Sequence, residues 1–387
     1  MRDCWILAIN AARSCWVADS RGACPSRYLA STCGEGMRSR RHCCSGDNSQ
    51  ASAIPKNRFK AVVLAWRAAR RLAGCRTKRG PVRGFVGTEV LTRPPSILPN
   101  APLASYHACM SALFADRLVR AQQTSGSLVC VGLDPDLTKI PADLAVAPEP
   151  FLAFNQRIID ATADLAAAYK PQIAFYSALG KEAELVASIR YIRERAPHAV
   201  VILDAKRNDI GNTASAYAEE AFNRYGADAV TVNPYMGEDS VRPFLARPDR
   251  GAILLCRTSN PGARDFQDLL VDGLPLYRRV AERADRDWNT ARNLMLVVGA
   301  TYPEEMAALR RAHPTMWFLV PGIGAQGGDL DKTLAAGLDE RASGLLINSS
   351  RGIIYAGGGS AEAIRSAAAE LHSSIAAARR ASGRLAA

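Results

Sequence analysis

The chain lacks the sequence features of a membrane span, a metal module and a disulfide scaffold. No uninterrupted apolar run in its 387 residues approaches the roughly 18 to 20 that a bilayer span needs, so no transmembrane helix and no membrane partner are expected. No two cysteines stand in C-x-x-C spacing, and the five histidines (His42, His107, His198, His313, His372) are scattered, so no zinc module or other metal site is expected. A disulfide framework would need an oxidising compartment, and the start MRDCWILAINAARSCW is a poor secretory signal.

Acidic residues are also scarce, but only in one place. Residues 1–109 hold 15 Arg and 3 Lys against 3 Asp and 2 Glu, a net of +13, whereas 110–387 hold 31 basic and 32 acidic residues, a net of −1. The overall +12 is therefore not a property of the main body, and eight of the ten cysteines lie in the same first segment. That segment has no sustained period beyond one amphipathic basic stretch, Arg58 to Gly74. Residues 1–109 are expected to be a basic Cys/Arg-rich extension, disordered or not part of the native protein, with Met110 as the natural start. An organelle transit peptide stays open as an alternative. Without aromatic interleaving or a recognised motif, nucleic acid is not an expected partner.

What is present from Met110 onward is a regular alternation. Eight apolar runs (127–134, 166–171, 199–206, 228–235, 252–259, 293–301, 316–324 and 344–352) are separated by stretches of helical period, such as Phe151, Phe154, Ile158 and Ile159, or Leu185, Ile189 and Ile192. Thr301, Pro303 and Glu304 predict a capped helix start after the sixth run. Eight strands alternating with helices over 110–387 match a (β/α)8 TIM barrel in count and size. An open doubly wound sheet is the alternative, but the Gly-rich turn it would need after the first strand is replaced by VGLDPD.

In such a barrel, functional groups gather at the C-terminal ends of the strands. Asp134, Lys170, Asp204, Lys206, Asn233, Thr258, Ser259 and Arg351 all fall at those ends. Period-two alternation puts Asp204 and Lys206 on one side of the third strand, with Lys170 on the adjacent strand and Asp209 in the following loop, and these could form an alternating Lys/Asp array. A surface ion pair is the alternative reading of D-x-K-x-x-D alone. After the seventh run, PGIGAQGGD offers glycine backbone N–H groups and the Gln326 amide, and Arg351 after the eighth could grip phosphate; a flexible turn is the alternative for the glycine loop. Ser259 could read the polar edge of a planar ligand, or form a turn with Asn260 before Pro261.

Taken in order, VGLDPD, YKPQIAFY, LDAKRNDIGNT, TVNPYMG, RTSNPGA, PGIGAQGGD and SSRGI resemble orotidine 5′-phosphate decarboxylase, most closely its bacterial type 2 subgroup. The resemblance spans about 110–387 and implies a cytoplasmic lyase that converts orotidine 5′-monophosphate to uridine 5′-monophosphate and carbon dioxide, the last step of UMP synthesis, with neither metal nor organic cofactor. It implies Lys206 as proton donor to C6 of the pyrimidine, Asp204 beside the departing carboxylate, and Lys170 holding the array. Asp209 and Thr213 match positions that reach the partner's site across a homodimer interface. Asp134 would meet ribose hydroxyls, Ser259 the pyrimidine edge, and Gln326 with Arg351 the phosphate. A related sugar-phosphate barrel enzyme using magnesium shares D-x-K-x-x-D, but RTSNPGA and PGIGAQGG would have no pyrimidine to serve there.

Overall fold

The computed structural model describes residues 113–323 and 327–383. The expectations for residues 1–109 and for Gln326 lie outside the described residues. Eight parallel strands close into a barrel: β1 Val129–Leu133, β2 Ala168–Pro171, β3 Val200–Arg207, β4 Ala229–Val232, β5 Gly251–Arg257, β6 Leu294–Val298, β7 Trp317–Val320 and β8 Leu345–Ser349. Each strand pairs with its sequence neighbours, and β1 closes on β8 through Val129 opposite Ile347. Six of the eight strands fall inside the apolar runs read from the sequence, while β3 and β5 each overrun theirs by one residue, at Arg207 and Gly251; the barrel excludes the open sheet.

Alternation along the strands sorts the core into two layers. Cys130, Ala168, Val200, Ile202, Ala229, Ile253, Met295 and Leu319 face the barrel axis. Their neighbours Val131, Tyr169, Val201, Leu203 and Val230 pack outward against the helices. The helix Pro150–Thr162 buries Phe151, Phe154, Ile158 and Ile159, and Glu182–Arg195 buries Leu185, Ile189 and Ile192, as their period requires.

Two local features differ from expectation. The helix after β6 runs Pro303–Ala312 with Tyr302 as its N-cap and no side-chain cap bond, while Thr301 Oγ1 is buried without a hydrogen-bond partner among the described residues. Pro303 at the first helical position sets the start instead, because its ring already fixes a helical φ. A helix not anticipated from the sequence, Phe114–Ser125, brings Phe114, Leu118 and Ala121 into the axial layer, and Phe114 N donates to Pro248 O at 2.9 Å. Its i, i+4, i+7 apolar stripe is short, which makes it inconspicuous beside the longer helices.

Candidate active site

The inward alternation carries Asp134, Lys170, Asp204 and Thr231 to the C-terminal rim. The β2–β3 pairing runs through Tyr169 opposite Val201, and an isolated bridge of Gln172 with Asp204 continues it, so Lys170 and Asp204 become diagonal cross-strand neighbours. Lys170 Nζ donates to Asp204 Oδ2 at 3.0 Å, and Lys206 Nζ donates to Asp204 Oδ1 at 2.7 Å. Lys170 and Asp204 are buried, whereas the Lys206 side chain is 48% exposed. One ammonium thus holds the carboxylate from within the barrel and the other faces the opening.

Simple alternation does not deliver this geometry by itself. The β3–β4 register shifts between Leu203 and Arg207, and Lys206 adopts φ +45°, a left-handed conformation that costs a residue with a Cβ about 1 kcal/mol or more. Thr231 on β4 compensates. Its Oγ1 accepts the backbone N–H groups of Ala205 at 3.0 Å and Lys206 at 2.9 Å and donates to Asp204 Oδ1 at 2.8 Å. The residue went unremarked in the sequence, although an inward-facing threonine on a fourth strand was its signal.

Burial alone would push the Asp204 carboxyl up, but the positive charges of Lys170 and Lys206 outweigh it and hold the group well below its ordinary 3.8. Burial likewise works against the Lys170 ammonium, yet Asp204, with Asp134 and Cys130, keeps its pKa above the ordinary lysine value. Beneath them, burial pushes the Cys130 thiol up to about 12, and it donates as a neutral S–H to Asn348 Oδ1 at 3.5 Å.

These groups line a cavity of about 520 Å³, within the usual range for a small-molecule site. Asp134, Lys170, Asp204, Lys206 and Thr231 form one wall; Thr258, Ser259, Asn260 and Gln267 form a second; Pro321–Ile323 and Ser349–Gly352, with Arg351, form the third. Asp134 Oδ1 is buried with no hydrogen-bond partner among the described residues, an acceptor available to a ligand hydroxyl. Gly132 is needed because any Cβ there would lie 1.7 Å from Ser350 Oγ. Gln267 was not anticipated: it clips Thr258 at two points, Oε1 accepting from Thr258 N at 2.9 Å and Nε2 donating to Thr258 Oγ1 at 2.8 Å.

The structure therefore brings together Lys170, Asp204, Lys206, Asp134, Ser259 and Arg351. It does not bring Asp209 or Thr213 to this cavity: Asp209 Oδ1 accepts from its neighbour Ile210 N at 2.8 Å, and Thr213 is exposed in the helix Gly211–Glu219. Asn233 also stands apart, its Oδ1 accepting from Tyr235 N at 3.0 Å.

A family model described as orotidine 5′-phosphate decarboxylase / HUMPS family matches residues 127–367. An orotidine 5′-phosphate decarboxylase of Cellvibrio japonicus is 55% identical over 267 residues, covering 68% of this chain and 97% of that one. One from Janthinobacterium is 56% identical over 243 residues, covering 63% and 90%. The solved structure of Leishmania donovani OMP decarboxylase superposes with a TM-score of 0.61 at 43% identity, covering 69% of this chain and 99% of that one.

Proposed function

The chain belongs to the orotidine 5′-phosphate decarboxylase / HUMPS family, and from that premise we propose that it converts orotidine 5′-monophosphate to uridine 5′-monophosphate and carbon dioxide, the last step of pyrimidine nucleotide synthesis. The observation that carries this reading is the Lys170–Asp204–Lys206 array, with one buried ammonium, one buried carboxylate and one exposed ammonium at the cavity wall.

In the reaction the bond from C6 to the carboxylate breaks, and the electron pair stays on C6 as carbon dioxide leaves. Asp204, kept ionised by its two lysines, lies beside the departing carboxylate. The Lys206 ammonium faces the developing carbanion, stabilises it, and transfers its proton to C6; the neutral amine then regains a proton from solvent. Lys170 holds the array. At the far end Arg351 binds phosphate together with Gln326, Asp134 accepts from ribose hydroxyls, and Ser259 reads the pyrimidine edge. Binding the remote phosphate supplies energy for positioning the ring.

The reading extends to a cytoplasmic enzyme of the bacterial type 2 subgroup, needing neither metal nor organic cofactor and working as a homodimer. Asp209 and Thr213 complete the partner's site. Their position outside their own cavity supports this, as do the exposed apolar side chains of Ile210, Tyr235 and Met236 in the neighbouring loops. The family description also covers sugar-phosphate enzymes, so the deciding experiment is turnover of orotidine 5′-monophosphate by the full chain in excess EDTA. Undiminished conversion to uridine 5′-monophosphate is expected, and loss of activity on chelation would favour the magnesium-dependent relatives.

A further inference from the structure

Period-two alternation would send Arg257 after Ile253 and Leu255 toward the barrel axis. The register shift between Leu255 and Arg257 prevents this, and the guanidinium lies outside the cavity instead. It sits 3.9 Å from the centre of the Tyr302 ring and 5.4 Å from that of Tyr277, with Nη1 2.9 Å from Asp268 Oδ1 and Nη2 3.7 Å from Glu305 Oε1. The residue is 1% exposed. Its Nε and Nη1 are buried without an aligned hydrogen-bond acceptor among the described residues, so contact with the two rings and charge pairing hold it more than directed bonds do.

These contacts join separate segments. Asp268 belongs to the insertion after β5, Tyr277 to the helix Leu276–Arg283, and Tyr302 and Glu305 to the turn and helix after β6. The backbone repeats the link, because Gly299 N donates to Arg257 O at 2.8 Å. Gly299 in turn presses on Ser259: a Cβ there would lie 2.9 Å from Ser259 Cβ and 3.1 Å from its backbone N. On the other side of Ser259, Thr258 is clipped by Gln267.

We infer that Arg257 is a positioning residue for base recognition: its buried guanidinium, set against two rings, locks the Thr258–Asp268 segment against the β6 turn and so fixes Ser259 relative to the planar ring of the ligand, without touching the ligand. The inference rests on the proposed pyrimidine nucleotide function. It separates base recognition, which Arg257 supports, from phosphate recognition, which it does not.

The test is inhibition of orotidine 5′-monophosphate turnover in the full-length protein by uridine 5′-monophosphate, which has the ring, and by ribose 5-phosphate, which lacks it. Arg257→Met and Tyr302→Leu are expected to weaken the nucleotide by about tenfold or more, as a misplaced recognition group does, while ribose 5-phosphate stays within about twofold. Tyr302→Phe, which keeps the ring, is expected to preserve the wild-type ratio. If Arg257→Met does not fold, the Tyr302 pair carries the comparison. Equal losses for both inhibitors, or no loss for either, would overturn the inference. A wild-type protein that binds the nucleotide no better than ribose 5-phosphate would instead overturn the functional reading, and this inference with it.

Discussion

Thr231 Oγ1 donates to Asp204 Oδ1 at 2.8 Å and accepts the N–H groups of the two residues that follow that aspartate. One hydroxyl therefore orients the carboxylate and holds the bulged backbone that aims Lys206. Thr231→Val keeps the shape but leaves both N–H groups without their acceptor, at a cost of about 1–3 kcal/mol. Urea unfolding should show that loss, turnover should fall about tenfold or more from the misaimed lysine, and Thr231→Ser should restore both. Wild-type turnover in Thr231→Val would show that Thr231 does not aim Lys206.

Lys170 tests the electrostatics through pH. Asp204 has a folded pKa depressed below 3.8, so its contribution to stability is fully present above that value and is lost as pH falls below it toward the folded pKa. With Lys170→Met the carboxylate keeps one ammonium instead of two. The depression shrinks, the window below 3.8 narrows, and neutral-pH stability drops by about 3–5 kcal/mol, typical of a broken buried pair. Unfolding free energies from neutral pH down to about pH 3 should therefore converge as acid is added, the wild type falling more steeply by up to about 1.4 kcal/mol per pH unit. Parallel curves would mean that the pair does not govern Asp204.

The barrel was legible because buried parallel strands read as continuous apolar runs, and the rim because charge at a strand end is conspicuous. Asp204 and Lys170 could be placed from alternation and strand adjacency alone. What escaped depends on departures from alternation. The left-handed Lys206, the outward turn of Arg257 and the bracing by Thr231 arise from register shifts in β3 and β5, and no local residue pattern marks such a shift. The Thr301 cap failed for a related reason: Pro303 already fixes the helix start, so the hydroxyl is not needed there.

A two-fold dimer with shared sites predicts complementation. Lys206→Ala and Asp209→Ala are each expected to be nearly inactive, yet a hybrid of the two would hold one site with both native residues. Unfolding and refolding an equal mixture should recover about a quarter of wild-type activity, since half of the random dimers are hybrids with one intact site of two. A mixture no more active than its parents would place both residues in the same subunit's site, or make Asp209 dispensable to the shared one.

Whether Lys206 is the proton donor is decided by steady-state decarboxylation by full-length wild type and Lys206→Ala, side by side. The lysine side chain is half exposed, so its truncation should leave the fold intact. Rapid carbon dioxide release is expected from the wild type, with a fall in kcat of about 10²–10⁴-fold in the variant, the usual contribution of a positioned acid. A folded Lys206→Ala protein that turns over within a fewfold of wild type would rule Lys206 out as the donor.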